Sequence, residues 1–519
     1  MYRIFFFLEE ICYRVFKDRV GFVFVFIDLL KNFLELVRFA QVTKQGNTFV
    51  QFDHRVVKNF NQSDKVRRAI GNFTAGYLWH CSTHGCYEYV GGCQMNIQIK
   101  NGRLIDPKNK IDAVQDIFIT AGKVKATGKA PAGFVAKKVI DASGLIVIPG
   151  LIDLAARLRE PGYEYKATLE SEMNAAVAGG ITSLACPPDT EPVLDEPGLV
   201  EMLKHRTIAL SQAQVYPIGA LTYGLKGMEL TEMAELSDAG CVAFSQADAP
   251  LTDTRVMMRA MQYAATFGFS VWLHPQDSFL ARDGVAHDGE VATRLGLPAI
   301  PVCAETIALS TMMQLARETG VRLHICRISS AAAVEMIREA KKEGLSLSCD
   351  VSMNHIHLSE MDIGFFDSNC HLMPPLRSQR DRDALRTGLM EGVIDAICSN
   401  HSPVDDDAKQ LPFAEAEAGA TGLELLLPLV LKWTQQGKYS LADAISKVTV
   451  NPARILNIDT GHLSIGAAAD ICIYDPEGYW KVEAAALKSQ GKNTPFLGME
   501  LQGKVLYTLV NGQIVYQAI

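Results

Sequence analysis

VRLHICRISSAAAVEMIREAKKEGLSLSCDV, residues 321–351, is the stretch that decides the fold. It begins and ends with short apolar runs, at 321–326 and 345–351, of the length typical of buried strands. Between Ser330 and Lys342, apolar residues recur every three positions and predict an amphipathic helix: Ala331, Val334, Ile337 and Ala340. A helix of this length is the connection that two parallel strands require. The stretch therefore predicts a strand, a helix and a second, parallel strand.

The same alternation extends in both directions, and the number of units decides the architecture. Eight apolar runs are predicted strands, at about 145–148, 181–186, 214–219, 241–245, 269–274, 321–326, 345–351 and 393–399. Eight strand and helix units predict an α/β fold of the TIM-type (β/α)8 barrel class. A doubly wound open sheet is the alternative, but no glycine-rich phosphate loop follows the first strand.

Glycines mark the predicted helix ends. A glycine in the left-handed conformation commonly terminates a helix. Glycines stand just before the apolar runs at Gly179, Gly180, Gly240, Gly268, Gly320, Gly344 and Gly392. Local and global patterns thus indicate the same barrel.

The segments that flank the barrel have a strand pattern of their own. From Met95 the chain alternates apolar and polar residues, and Asn101-Gly102 predicts a hairpin turn. After Arg454, short strands return with turns at Gly466 and Asn511-Gly512. We predict a small β domain built from 95–148 and 455–519, with the barrel at 149–454 between them.

Residues 1–94 are an unassigned N-terminal extension without clear periodicity. Two explanations stay open: an upstream start codon ahead of Met95, so that the extension is not translated, or a genuine additional segment. The extension contains His80-Cys81-Ser-Thr-His84-Gly-Cys86, whose spacing does not match the common paired zinc signatures. We therefore expect no zinc site there.

Composition limits the partners. The 519 residues carry a formal net charge of -8, which offers no basic surface for nucleic acid. The 12 cysteines are scattered, as expected for reduced thiols in the cytoplasm. The apolar run from Val20 to Ile27 ends at Asp28, short of the roughly 20 residues of a membrane helix. Neither a membrane span nor a signal peptide is expected.

A barrel of this class carries its active site at the C-terminal ends of the strands. There the chain has PGLIDLAARLREPG at 149–162, FSQADAP at 244–250, HPQD at 274–277, His324, and CSNHSP at 398–403. Other stretches with potential site residues are LHI at 323–325, PPLR at 374–377, LPF at 411–413 and NTPFLG at 493–498. In this order, from Met95 to the end, these motifs resemble the dihydroorotases of the long bacterial type in the amidohydrolase superfamily.

The resemblance implies a binuclear metal site. The family holds two metals with a His-x-His pair after the first strand, an acidic bridge after the fourth, histidines from the fifth and sixth, and an aspartate after the eighth. The matching positions here are Ala155, Arg157, Gln246 or Ala247, His274, His324 and Asn400. An alanine has no donor atom, an arginine is a permanent cation, and an amide cannot act as a general base. We expect vestigial positions, no catalytic residue and no metal; the alternative is one zinc on His274 and His324, helped by Asp248 or water.

Positions that would contact substrate also depart from the family. Arg159 persists and could bind a carboxylate, but Asp189 and Met373 stand where asparagines are expected. Val404 replaces a second histidine. Four further polar residues are expected to be ordinary loop or strand-end residues: Asp277, Asp350, His355 and His357.

Three functions stay open. The chain resembles most the inactive dihydroorotase homologues that assemble with aspartate carbamoyltransferase, which implies a structural subunit of pyrimidine biosynthesis in a homo- or hetero-oligomer. The second is an active dihydroorotase or other cyclic-amide hydrolase with an atypical zinc site. The third is a sensor that binds a carboxylate through Arg159 without turnover.

Overall fold

The computed structural model describes residues 81–82, 85–86 and 96–518. The chain divides into two compact units, Met1–Cys93 and Gln94–Ile519. In the first unit, the described part is an antiparallel pairing of Cys81–Ser82 with Gly85–Cys86. The rest of the N-terminal extension, and the side chains of the histidine and cysteine cluster at 80–86, lie outside the described residues.

The second unit contains an eight-stranded parallel sheet that curves into a barrel. In chain order its strands are β1 (Leu151–Asp153), β2 (Ile181–Cys186), β3 (Gln214–Ala220), β4 (Ala243–Ser245), β5 (Ser270–Leu273), β6 (Arg322–Ile325), β7 (Leu347–Ser352) and β8 (Ala396–Cys398). Each strand pairs in parallel with the next. Just beyond β1 and β8, a parallel bridge between Ala156 and His401 closes the ring. The predicted TIM-type barrel is confirmed.

Helices follow the barrel strands. The main ones are Leu169–Ala178, Pro197–Leu210, Met233–Ala239, Thr254–Phe267, Val302–Thr319, Ala331–Lys342, Gln379–Met390 and Leu426–Gly437. Shorter helices are Glu290–Leu295, Met353–His357, Asp406–Lys409, Leu441–Ser446 and Val450–Leu456. Among the described residues, no helix is both long enough and apolar enough to cross a membrane.

The helix of the opening stretch shows why these residues become helical. Its first turn is capped by Ser330, whose hydroxyl accepts the Ala333 N–H. It buries Val334, Ile337 and Ala340, which belong to the predicted apolar face. The predicted glycine ends are confirmed. Gly240, Gly268 and Gly320 cap helices in the left-handed conformation, while Gly180, Gly344 and Gly392 have positive φ one residue after a cap.

The predicted first barrel strand at 145–148 is wrong. Ile146–Pro149 belongs to another sheet, where it pairs antiparallel with Ile471–Lys481 and parallel with Arg103–Asp106. Only Gly150 separates it from β1, so one apolar run supplies strands to two sheets. The glycine is needed because a Cβ there would lie 2.2 Å from Thr182 Oγ1.

The second architectural part is a small β domain. Its six-stranded sheet has the order Gln513–Gln517, Glu500–Val510, Ile471–Lys481, Ile146–Pro149, Arg103–Asp106 and Ile111–Val114. Its four-stranded sheet has the order Lys123–Thr127, Ile117–Thr120, Ile97–Lys100 and Lys138–Asp141. The predicted β domain beside the barrel is therefore present; the sequence-based domain bounds stay a prediction.

The predicted hairpin at Asn101-Gly102 is wrong, although the turn itself is present. Asn101 has φ 63°, but the strands on either side, Ile97–Lys100 and Arg103–Asp106, pair in different sheets. A Cβ on Gly102 would lie 2.6 Å from Val147 Cγ2, so the glycine allows the chain to cross between the sheets. By contrast, Asn511-Gly512 joins two strands that do pair antiparallel.

Buried polar groups hold β1 and β8 together, and we call them the closure seam: Asp153, Glu172, Ser399 and His401. The Asp153 carboxylate accepts the Ser399 backbone N–H at 2.8 Å and the Ser399 hydroxyl. His401 donates its backbone N–H to the Ala155 carbonyl at 2.9 Å. Its ring Nε2 lies 2.7 Å from the Glu172 carboxylate, and both side chains are fully buried. The seam places the residues that follow β1 and β8 side by side at the barrel mouth.

Candidate functional site

Four charged residues meet at the C-terminal end of the barrel, and we call them the mouth cluster: Arg157, Asp189, Asp248 and Arg327. Arg157 places Nε 2.6 Å from Asp189 Oδ2 and Nη2 2.6 Å from Asp248 Oδ2. Arg327 donates Nη2 to Asp248 Oδ1, and its Nη1 lies 3.3 Å from Oδ2. The two cations and two anions therefore neutralise one another.

Burial makes this pairing obligatory. The Arg157 and Arg327 side chains are 8% and 5% exposed, and a buried charge is tolerated only when it is paired. Burial disfavours the ionised form of Asp248, but Arg327 and Arg157 outweigh it and hold the pKa of this carboxyl well below its usual range. Burial likewise opposes the charge on Arg157, yet Asp189 and Asp248 raise its pKa. Arg157 and Asp248 are therefore both charged at neutral pH.

Arg327 is the site residue that sequence reasoning missed. It lies two residues after the end of β6, has φ 54°, and places Nη1 3.3 Å from Asn400 Oδ1. The Asn400 amide Nδ2 donates to the Met373 carbonyl at 3.2 Å. The available signal was a cation directly after a barrel strand, because side chains at that level face the site.

His324, assigned to the metal positions from the sequence, is not brought together with the mouth cluster. It lies within β6 and is fully buried. Its Nδ1 is 2.9 Å from Ser348 Oγ and its Nε2 is 2.9 Å from Asp350 Oδ2. The register explains this position, because β6 continues past His324 before the chain reaches the mouth at Arg327. Arg327, and not His324, is the β6-side residue that faces Asp248.

Gln246 and His274 do lie at the ends of β4 and β5, as predicted. Gln246 accepts the Thr222 hydroxyl through Oε1 at 3.0 Å. His274 Nδ1 lies 3.2 Å from the Cys326 carbonyl, so Nδ1 carries the ring proton and donates it. Its Nε2 has no hydrogen-bond partner within the described part of the chain. Burial lowers the pKa of His274 to about 4, so the ring is neutral at pH 7.

Arg159 is held by the protein itself. Its Nε donates to the Pro403 carbonyl at 3.0 Å and its Nη2 to the Ser402 hydroxyl at 2.8 Å. Glu417 is 3.9 Å away and bonds Lys166 at 2.6 Å. These contacts compete with the carboxylate ligand that the sequence suggested for Arg159.

Polar residues expected to have ordinary roles have local partners. Asp277 accepts backbone N–H groups of its own loop, from residues 279 and 280. His355 and His357 place Nε2 3.2 Å and 2.8 Å from the carbonyls of Pro375 and Leu429. Val404 donates its N–H to the Asn493 amide oxygen at 3.0 Å.

The residues at the mouth do not fit the two metals that the resemblance implies. Ala155 supplies a methyl group, and Gln246 supplies a neutral amide already bonded to Thr222. Arg157 and Arg327 place guanidinium groups on Asp248, the carboxylate nearest to the predicted bridge position. Divalent ions need lone-pair donors and compensating negative charge, and this cluster offers a carboxylate that two cations have already neutralised.

Two cavities lie at this end of the barrel. A void of about 30 Å³ sits at the mouth cluster and is lined by Ala155, Arg157, Cys326, Arg327 and Asp350 among others. A pocket of about 270 Å³ opens to one side, between the β4 and β5 loops and the helix Val302–Thr319. Arg159 lines neither of them. The central void has room for little more than a water or two.

Comparison with known proteins identifies the relatives of the chain. The family model described as Dihydro-orotase-like matches residues 144–333, and one described as Amidohydrolase family matches 431–516. A dihydroorotase-like protein of Pseudomonas aeruginosa is 44% identical over 423 residues, which span 82% of this chain and 100% of that protein. The chain belongs to the dihydroorotase-like family of amidohydrolases.

Other members of this dihydroorotase-like family are named as enzymes. A dihydroorotase of Geobacter sp. (strain M21) is 42% identical over 424 residues, spanning 82% of this chain and 100% of that protein. Among solved structures, the L-hydantoinase of Arthrobacter aurescens has a TM-score of 0.74 and 25% identity, over 82% of this chain and 96% of the other. The D-hydantoinase of a Thermus species, with a TM-score of 0.70, 19% identity and 81% and 95% coverage, shows the shared fold.

Proposed function

We propose that this dihydroorotase-like chain is non-catalytic and serves pyrimidine biosynthesis as a structural subunit of aspartate carbamoyltransferase. The observation that carries the first half is the pairing of Arg157 and Arg327 with Asp248. The guanidiniums take the place where a metal-dependent hydrolase needs cations and free carboxylate oxygens.

Charge opposes a binuclear centre at the mouth. Two like charges repel by about 4 kcal/mol per unit charge pair at 4 Å in a partly screened site. Adding two dications to Arg157 and Arg327 multiplies that repulsion, and the carboxylates of Asp189 and Asp248 are already engaged. The ion pairs would have to break before metals could bind.

The mouth also lacks a carboxylate in the position that would accept a proton from the attacking water. In an active site of this kind, a carboxylate after β8 takes the proton of the attacking water. Asn400 stands there, and both ends of its amide are hydrogen-bonded, to Arg327 and to the Met373 carbonyl. An amide has no lone pair basic enough to accept a proton at neutral pH.

The partner half of the proposal rests on the family resemblance. It is supported by the retention of the whole barrel frame around a mouth without catalytic groups, as expected where an assembly surface is what matters. We further propose that the chain is cytoplasmic and oligomeric with its partner. In the part of the chain described from residue 96 onward, the cysteines are free, as in a reducing compartment.

The deciding test is turnover. The full chain is incubated with added zinc and with dihydroorotate or carbamoyl aspartate, and we expect no interconversion above buffer. A companion carrying Ala155→His, Arg157→His, Gln246→Asp, Arg327→His and Asn400→Asp shows whether the scaffold still accepts the metals. Zinc-dependent turnover by the unmodified chain, lost in His274→Ala, would overturn the proposal.

The partner is tested separately by gel filtration with aspartate carbamoyltransferase of the same organism. We expect a single complex and a higher thermal stability of the transferase. Separate elution at micromolar concentrations of both chains would refute the partner and leave the absence of catalysis standing.

The alternative function is an active cyclic-amide hydrolase. The observation in its favour is that a relative 42% identical over the same part of the chain is named a dihydroorotase. His274 keeps a free ring nitrogen at the mouth, so one metal on this histidine is the form that such activity would take. The turnover experiment distinguishes the two.

A further inference from the structure

A second group of metal-binding residue types lies inside the barrel, one layer below the mouth. Alternate residues of a barrel strand face the same side. On β6 and just after it, His324 and Cys326 share the inward face. The register pairs His324 with Ser348, so Asp350, two residues further along β7, lies level with Cys326. Two adjacent strands therefore direct a histidine, a thiol and a carboxylate to one place.

The side-chain atoms converge as this register predicts. A ring nitrogen of His324, Cys326 Sγ and a carboxylate oxygen of Asp350 all lie within 4.8 Å of one another. His324 is fully buried and Asp350 is 1% exposed. The void of about 30 Å³ is lined by both Cys326 and Asp350, so space for a small ligand adjoins them. On β8, Cys398 Sγ lies 3.3 Å from Asp350 Oδ1.

This chemistry is unusual for a barrel interior, which is normally filled by layers of branched apolar side chains. A buried carboxylate needs compensation by hydrogen bonds or positive charge. Asp350 has the imidazole of His324 and the backbone N–H of Arg327 at 2.8 Å. The Arg327 guanidinium is engaged elsewhere, by Asp248 and Asn400. Nitrogen, sulfur and oxygen donors in one buried place are the set that zinc prefers.

We propose that His324, Cys326 and Asp350 form a mononuclear site for a thiophilic divalent cation of the zinc type. Three protein ligands are the usual number for a zinc site that keeps one open position. The adjoining void is also lined by Arg157 and Arg327, whose charges are paired with Asp189 and Asp248. It can hold a water for the fourth position, with Cys398 close to Asp350. Of the positions that the resemblance matched to the family's metal ligands, the proposed site uses His324 alone, and its other two ligands, Cys326 and Asp350, are not among them.

Binding exchanges protons for the metal in a balanced way. The Cys326 thiol loses its proton to solvent, and the resulting thiolate bonds the cation. His324 gives up the Nε2 proton that it shares with Asp350 and takes one on Nδ1, which then donates to Ser348 Oγ. Thiolate and carboxylate together neutralise the two positive charges. The metal would cross-link β6 and β7 in the part of the barrel that carries Arg327.

The experiment measures the metal on the full chain and does not depend on the proposed function, because turnover is not its readout. Purified protein is stripped with a chelator, reloaded with zinc or cobalt(II), and freed of excess by gel filtration. We expect about one tightly bound ion per chain. The cobalt form should show a thiolate-to-metal charge-transfer band in the near ultraviolet, and zinc X-ray absorption should show a sulfur neighbour.

Variants assign the ligands. Cys326→Ser should abolish the charge-transfer band, and His324→Gln should reduce the retained metal at least tenfold. Cys303→Ser is the matched control, because Cys303 is an exposed cysteine outside the cluster, and it should keep band and metal. His274→Gln should also keep them.

Contrary results are unambiguous. Unmodified protein that retains no metal, or metal with only nitrogen and oxygen neighbours, overturns the proposal without any variant having to fold. Metal that survives Cys326→Ser but is lost in His274→Gln would place the ion at the mouth and refute the inner site.

Discussion

The closure seam and the mouth cluster meet at the end of β1, where Asp153 belongs to the seam and Arg157 to the cluster, yet they depend on opposite kinds of interaction. In the seam, Asp153 and His401 make short hydrogen bonds to backbone and to fully buried partners. In the mouth, Arg157 and its neighbours satisfy only one another's charges.

The difference teaches which residues a barrel of this family can exchange. A seam side chain is tied to the position of the backbone, so its replacement leaves a buried group without a partner. A side chain of the mouth cluster needs only a neighbour of opposite charge. Metal ions and their ligands can therefore be replaced there by pairs of arginines and aspartates. A barrel frame shared with dihydroorotases and hydantoinases therefore coexists with a mouth whose charged side chains pair with one another.

The largest expected effect comes from breaking the seam with His401→Ala. Glu172 would keep the Ser489 hydroxyl but lose the His401 ring, and the Gly422 N–H would lose its acceptor, His401 Nδ1, at 3.1 Å. Two buried groups deprived of a hydrogen bond should together cost about 3 kcal/mol. Urea unfolding of the full chain measures it. His205→Ala, at an exposed histidine, is the control and should change stability by less than about 0.5 kcal/mol. Equal midpoints for the two variants would contradict the importance of the seam.

Removing a cation from the mouth cluster, by Arg327→Met, should lower the free energy of unfolding by less than His401→Ala does. Asp248 would keep Arg157 and is about one third exposed, so water compensates part of the loss. We expect a destabilisation of about 2 kcal/mol. A double-mutant cycle with Asp248→Asn measures the coupling, which should be about 1 kcal/mol. A cost as large as that of His401→Ala would remove the distinction between the regions.

The pH dependence of the folding stability gives a further test, at the buried His355. Burial, opposed by the Pro375 carbonyl, lowers the pKa of His355 to about 4, whereas the unfolded value is about 6.5. The unfolded chain therefore binds the extra proton first, and stability from this group is full above pH 6.5 and is lost as the pH falls towards 4. His355→Gln should remove about 1 kcal/mol of the stability change between pH 6.5 and 5.5. A slope that is the same in His355→Gln as in the unmodified chain would contradict this.

The smallest effect is expected for an arginine–aspartate contact of similar geometry on the exposed surface of the protein. Arg103 and Asp112 form a two-point contact at 2.7 Å and 2.9 Å, with side chains 47% and 44% exposed. Asp112→Ala should cost less than about 0.5 kcal/mol, because exposed ion pairs gain little. Thermal unfolding compared with Arg327→Met tests whether burial, and not geometry, makes the mouth pairs matter.

The sequence predicted most of the barrel because the residues that end its strands and helices stand next to them in the sequence. The strand at 181–186 was placed correctly, since Gly180 and Pro187 bracket it. The run at 145–153 was not, because strands of two sheets follow each other with only Gly150 between them. Neither the amino-acid composition of these strands nor the spacing of their apolar residues distinguishes a strand of the barrel from a strand of the β domain.

The candidate site was predicted less completely. Ala155, Arg157 and Asn400 could be read from motifs next to β1 and β8. Arg327 was missed: its place just after β6 was a signal, but its contact with Asp248 depends on how far a long side chain reaches in the folded chain. The contact of Asp189 with Arg157 is likewise a property of the folded chain and not of spacing.

The junction at Gly150 also sets an order of events during synthesis. Ile146–Pro149 leaves the ribosome before the barrel, but its antiparallel neighbour, Ile471–Lys481, is made only after the barrel. Until then, the edge of that strand has no partner on one side, while the barrel strands that follow can already pair in sequence. Domains tend to fold as they emerge, so the nascent chain carries an unfinished sheet throughout translation of the barrel. Both halves of the β domain can first join when Ile471–Lys481 has been made and has reached Ile146–Pro149.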